Sequence, residues 1–305
     1  MMFVISPALA AQESEPPSSD PTDNQWLDTM QDNVSASIDA TALWFDEFFA
    51  EEALPLDEKA SGAGRIMLGW EPRSGHLNEF VTRFRLKVRL PNMKRQTDLV
   101  FSDYDEDEQI TSVKAAQNQD IDNRNRFSMA LRWTEKRGED FRVSHRIGLG
   151  RKLQPFVKSS LRKSLGVSDM NNINLEASVY FYSQDGFGSH WMAQYDHQFE
   201  DDSLFRFDNH FYFRDRENDW IWQHSFSHYR QWSEKTALIY GLYLQGNSQP
   251  NYRIEEYLVS TRWRMNALRK WLFFEIEPFL LWRRDENFET SYGVALRVEG
   301  FFGQY

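Results

Sequence analysis

The stretch Phe80-Val81-Thr82-Arg83-Phe84-Arg85-Leu86-Lys87-Val88-Arg89-Leu90 decides the fold. Phe80, Thr82, Phe84, Leu86, Val88 and Leu90 fall on one parity; Val81, Arg83, Arg85, Lys87 and Arg89 fall on the other. Period-two alternation is the signature of a β-strand, here greasy on one face and strongly cationic on the other. The same rhythm recurs along the chain. It predicts strands at 62–72, 77–90, 96–103, 125–135, 140–149, 154–164, 173–183, 188–199, 203–214, 219–232, 235–246, 252–265, 270–283 and 289–302. Turn chemistry separates them: Pro72-Arg73-Ser74-Gly75, Gln184-Asp185-Gly186, Glu200-Asp201-Asp202-Ser203 and Gly246-Asn247-Ser248-Gln249-Pro250. Alternating segments of about ten residues joined by turns are the pattern of a transmembrane β-barrel. The expected fold is therefore all-β: an antiparallel transmembrane β-barrel of about fourteen strands (roughly 12–16), with a short helix before it.

Composition narrows the alternatives. No run of about eighteen apolar residues exists, so no transmembrane helix is expected. Mean hydropathy is −0.66, but in a barrel half of each strand faces a polar interior, so that average carries little information. The chain has no cysteine, which excludes disulfides, thiolate metal sites and a cysteine nucleophile. There is no Gly-x-Ser-x-Gly elbow, His-Glu-x-x-His, phosphate-binding loop or EF-hand pattern, and neither cofactor nor metal is expected.

The first 61 residues differ in texture from the rest. Met1 to Ala11 reads as the tail of a secretory signal with Ala8-x-Ala10 as cleavage residues, truncated at its basic end. Residues 12–61 form an acidic arm, expected in the periplasm: positions 1–61 hold thirteen acids and Lys59 as the one base. Within the arm a helix is predicted at about 35–52, where Ile38, Ala42, Phe45, Phe48 and Phe49 fall at helical spacing among Asp39, Asp46 and Glu47. Residues 62–305 are the barrel.

Alternation also occurs in soluble sheets, and a large secreted β-sandwich is the competing fold. Tryptophan position separates the two. Trp70, Trp191, Trp220, Trp222 and Trp282 fall near one set of strand ends, and Trp133, Trp232, Trp263 and Trp271 near the other. Amphipathic rings gather in this way at two water–lipid interfaces. The last strand alternates through Tyr292, Val294, Leu296, Val298, Gly300 and Phe302 and ends in Gly303-Gln304-Tyr305. It resembles the C-terminal targeting signal of Gram-negative outer-membrane β-barrel proteins, with the aromatic at Phe302 or Tyr305 rather than strictly at the end. The resemblance implies the bacterial outer membrane, contact with its lipid and lipopolysaccharide, and recognition by the barrel-insertion machinery. It identifies a class and no particular family.

Charge on the inner parity carries the functional expectation. Arg83, Arg85, Lys87, Arg89, Arg142 and Arg146 form a cationic wall, with Glu275 and Glu277 as counter-charges. Walls of Arg and Lys favour anions, so a passive, porin-like passage for small anionic solutes is expected. The alternative is that these charges pair and fill the lumen. The acidic helix, with Asp39, Phe45, Asp46, Glu47, Phe48 and Phe49, is complementary to the wall and is expected to plug the opening. Two other readings stand beside the channel. One is a lipid-acting enzyme using an outward patch of His197, Asn209, His224 and His228; outer-membrane phospholipases place His, Ser and Asn on the barrel exterior, but Ser225 and Ser227 here fall on the inner parity. The other is a scaffold whose acidic arm binds a periplasmic partner. No nucleic-acid partner is expected.

Overall fold

The computed structural model describes residues 62–89, 96–103, 127–136, 141–150, 153–200, 202–266 and 268–303. Fourteen antiparallel strands close on themselves. They are β1 Gly62–Trp70, β2 Phe80–Arg89, β3 Gln96–Ser102, β4 Ser128–Lys136, β5 Phe141–Leu149, β6 Pro155–Ser168, β7 Asn171–Tyr182, β8 Gly186–Glu200, β9 Ser203–Arg214, β10 Asp219–Ser233, β11 Thr236–Asn247, β12 Arg253–Met265, β13 Leu272–Arg283 and β14 Ser291–Gly303. Each strand pairs with its sequence neighbours, and β1 closes the ring against β14 from Ala63↔Gly303 to Trp70↔Leu296. Closure leaves no free edge, so every strand can direct its backbone groups to a neighbour. The predicted helix at about 35–52 and the arm around it lie outside the described residues, which include the 3-10 turn Arg284–Glu286 and no α-helix.

Side-chain parity sorts the barrel into two faces. On β1 the outward Ile66 and Leu68 are 44% and 55% exposed, whereas the inward Ala63 and Met67 are 4% exposed. The outward face continues around the wall as Leu, Ile, Val and aromatic side chains, among them Leu86, Ile147, Val157, Val179, Leu242, Val259, Leu280 and Val298. A single Arg or Lys on such a belt would cost about 2–4 kcal/mol at mid-membrane. The many bases on the opposite parity therefore fix that parity as the lumen.

Odd-to-even connections, including the hairpin at Ser74-Gly75, gather at the end opposite the chain termini, called here the loop end. Gly75 has φ +77°, the left-handed region that this tight turn requires. The β1–β14 register carries on past Trp70 as an isolated bridge between Arg73 and Gly293, so Glu71 and Arg73 keep the inward parity of β1. Other loop-end contacts hold the connections together: Asp219 Oδ1 accepts from Ser248 N at 2.9 Å and Ser248 Oγ at 2.7 Å, and Gln154 Nε2 donates to Asp185 at 2.7 Å.

Two apolar clusters fill part of the lumen toward the loop end. Tyr243, Leu258, Phe279, Leu281 and Ala295 pack together from β11 to β14, and Ala130, Phe156 and Tyr182 pack from β4, β6 and β7 with Tyr180 against them. Each member sits on the inner parity of its strand, so these are packings of the barrel interior.

Candidate functional site

Below the first apolar cluster, β12, β13, β14 and β1 build a buried ionic network. Arg297 is the hub, with no side-chain exposure: its Nε donates to Glu71 at 2.6 Å and its Nη1 lies 2.7 Å from Glu277 and 3.4 Å from Glu275. Arg264 pairs with Glu275 at 2.5 Å and Glu299 at 2.6 Å, and Arg65 also pairs with Glu299. Arg262 Nε reaches Glu277 at 3.1 Å, and Ser260 Oγ donates to the same carboxylate at 2.7 Å. Four bases thus face four acids, held by the register that sets Arg264 opposite Glu275 and Glu275 opposite Arg297. Glu275 and Glu277 are counter-charges to these arginines of their own side of the barrel.

The described side chains on the other side of the lumen are mostly basic. Among the described side chains, the inner parity of β2 to β6 carries Arg83, Arg85, Lys87, Arg132, Arg142, Arg146, Lys158 and Arg162, and the one acid Asp98. Asp98 takes Lys87 at 3.4 Å and Arg132 at 3.3 Å. Arg162 pairs across to Glu176 on β7 at 2.7 Å. The backbone of Arg89 pairs with that of Asp98, and its side chain lies outside the described residues, as do the helix positions Asp39, Phe45, Asp46, Glu47, Phe48 and Phe49. One side of the lumen is thus a paired ionic network, and among the described side chains the other side carries more bases than acids.

At the loop end, Arg73 reaches Glu286 at 2.9 Å. Burial works against the charge of Glu286, but the hydrogen bond from Arg73 and its positive charge prevail and hold the carboxyl below its ordinary range.

The outward histidines separate into three pairs. His224 Nδ1 lies 2.7 Å from Asn209 Oδ1, His197 Nδ1 lies 2.8 Å from Asn171 Oδ1, and His228 Nε2 lies 2.7 Å from Ser203 Oγ. Ser225 and Ser227 lie on the inner parity as expected, whereas Ser203, at the start of β9, is on the outward parity. Serine and asparagine nevertheless serve different histidines, His228 and His224, four residues or about 13 Å apart along β10. Among the described residues no histidine has both a hydroxyl and an orienting partner, which is the arrangement a nucleophilic triad needs.

Sequence reasoning did not single out Glu71, Arg65 or Arg297, nor the buried pair His190 and His210, whose rings share a 3.0 Å hydrogen bond inside the barrel. Parity alone would have put all five inside; which of them touch is set by register, and a single strand does not encode register.

No family model matches the chain, and no curated protein matches it. Solved structures do. The outer membrane channel DcaP of Acinetobacter baumannii superposes with TM-score 0.50 at 8% identity, covering 79% of this chain and 96% of that one. A loop L8 deletion mutant of OmpT, an outer membrane protein of Vibrio cholerae, gives TM-score 0.50 at 9% identity, with 79% and 98% covered. The fold is that of an outer-membrane β-barrel. At such identity the likeness concerns the path of the chain. The lumen charges of this barrel have to be read from its own residues.

Proposed function

We propose that the protein is a channel of the bacterial outer membrane that passes small solutes and prefers anions. The observation that carries the reading is the inner face of β2 to β6, where the described side chains include eight bases and one acid. Fixed positive charge in a confined, partly desolvated passage raises the local concentration of anions and repels cations. The balanced network on β12 to β1 does not offset it, because its bases and acids satisfy one another. Arg142 and Arg146 are the first test, since β5 presents both on the inner face and Arg142 is exposed. Purified barrel in a planar bilayer under a KCl gradient should give an anion-selective reversal potential. Changing Arg142→Glu and Arg146→Glu together should move it toward zero or reverse its sign. An unchanged potential would remove the cationic face from the account.

Charge complementarity favours a second element. Positions 1–61 carry thirteen acids and one base, opposite in sign to the β2–β6 face. The acidic arm, entering from the periplasm, occupies the lumen and lowers conductance. Deleting residues 12–58 should raise single-channel conductance; equal conductance with and without them would discard the plug.

A further inference from the structure

The outer wall of the barrel is uneven in polarity. From β11 round to β2, the described outward positions on the ladders hold apolar, aromatic, glycine or threonine residues. On β9 and β10, by contrast, the half-buried His224 and Asn209 stand directly opposite each other on that face. His224 lies two residues, about 7 Å along the strand, inside Trp222 of the aromatic belt, and its cross-strand neighbour on β11 is Leu244. The pair therefore sits at the depth of hydrocarbon. His197 and His228 lie nearer the chain-terminus end of the barrel, bonded to Asn171 and Ser203 at the starts of β7 and β9, where water is close.

The bonding within the pair leaves one acceptor and one donor open. Asn209 Nδ2 donates to Ala193 O at 3.3 Å, which turns Oδ1 toward the ring, so His224 Nδ1 carries the proton of their 2.7 Å bond. In the neutral imidazole Nε2 is then an acceptor, and among the described residues it has no hydrogen-bond partner. The second hydrogen on Asn209 Nδ2 is open as well. Trp222, Phe211 and Phe207 crowd the ring at 5.0, 5.8 and 6.4 Å between centroids without bonding it. Lipid tails offer neither donor nor acceptor, and a polar group left unmet among them is costly.

We propose that the outer face of β9 and β10 docks a second copy of this barrel, with Asn209 of each protomer donating to His224 of its partner. An open donor beside an open acceptor is complementary to its own copy turned about a two-fold axis, because β9 of one protomer then faces β10 of its partner. Both copies sit in the membrane in the same sense, so the axis runs along the membrane normal and brings side chains of like depth together. Closure leaves no strand edge to pair, and the contact is wall to wall. Apolar contact adds little there, since lipid tails are as apolar as the rings; hydrogen bonds between side chains give the contact its preference over lipid. The inference rests on the barrel spanning a membrane and is independent of conduction.

The chain has no cysteine, so one introduced thiol reports only on another copy. The purified full chain is folded into vesicles of a single synthetic phospholipid at low protein-to-lipid ratio, treated with a short bis-maleimide, and scored for covalent dimer on a denaturing gel. Phe226→Cys, two residues from His224 on the outward face of β10, should cross-link. Leu86→Cys, outward on β2 and seven strands round the ring from β9, should not. Phe207→Cys, opposite Phe226 on β9, is the second reporter should Phe226→Cys not fold. Adding His224→Leu and Asn209→Leu to the reporter should lower the cross-linked fraction at least tenfold, with the barrel still folded by circular dichroism. Equal cross-linking at 226 and 86 would mean chance collision and overturn the proposal, as would a dimer that survives the two Leu changes. No cross-linking at 226 or 207 in folded protein would also overturn it, leaving the face to lipid or to a different protein.

Discussion

Replacing Arg297 by Met removes the hub of the ionic network while keeping most of its volume. The cost follows from what each acid keeps. Glu277 retains Arg262 at 3.1 Å and Ser260 at 2.7 Å, and Glu275 retains Arg264 at 2.5 Å. Glu71 loses its 2.6 Å partner, and among the described residues it has no second cation within ion-pair distance. Both Glu71 and Arg297 have no side-chain exposure, so solvent does not screen the loss. One stranded, buried carboxylate corresponds to about 3–5 kcal/mol, against about 0–1 kcal/mol for an exposed pair. Adding Glu71→Leu removes the stranded charge and should recover most of the loss, because a buried pair exchanged for apolar groups is often close to neutral. Reversible denaturant unfolding in lipid vesicles, followed by tryptophan fluorescence, measures both variants. A loss below about 1 kcal/mol for Arg297→Met, or a double variant less stable than the single one, would refute the reasoning.

Three further outcomes follow from the same structure. A Cβ on Gly148 would lie 2.1 Å from Met129 O and 2.7 Å from Ala130 Cα, both backbone atoms, whereas on Gly64 its nearest neighbour is at 3.7 Å. Gly148→Ala should therefore cost at least about 1–3 kcal/mol and Gly64→Ala should be neutral or stabilising by up to about 1 kcal/mol; similar unfolding midpoints for the two would contradict this. The Arg73–Glu286 contact depends on pH in a definite direction. Glu286 is held below its ordinary range, so the contact contributes fully above the unfolded value of about 4.3 and fades as pH falls through the lower folded value. Glu286→Gln should lower the unfolding midpoint at pH 7 and leave it unchanged near pH 2, and a pH-independent gap would exclude the contact as its source. On the outer face, replacing His224 and Asn209 together by Leu should leave stability equal or higher, since a polar pair facing hydrocarbon gives way to apolar contact. A loss above about 2 kcal/mol would show that the pair does more than satisfy itself.

Much of the architecture was legible because the two solvents of a barrel impose the simplest of patterns. The expected strand at 203–214 coincides with β9, and the expected 289–302 differs from Ser291–Gly303 by two residues or fewer at each end. The segment at 154–164, which alternates poorly, is a fourteen-residue strand, Pro155–Ser168. Ser159 and Lys163 interrupt its outward face, and the ladders to β5 and β7, which no local pattern shows, carry it through. The lumen was only half readable. Parity placed Glu275 and Glu277 inside but could not choose between the distant ladder of Arg83 to Arg89 and the arginines one strand away; register gives them Arg262, Arg264 and Arg297. Glu71 falls on the inner parity of the expected strand at 62–72, and only its pairing with Arg297 was hidden. The motif Pro72-Arg73-Ser74-Gly75 reads as a turn, yet the turn is confined to Ser74-Gly75 and the inward parity of β1 persists to Arg73.

The central claim is that the unequal charge of the lumen selects the solutes that cross. The most direct measurement is the reversal potential of single channels of the unaltered protein in a tenfold KCl gradient. The account predicts discrete steps with chloride more permeant than potassium. Discrete steps with potassium more permeant than chloride would contradict it.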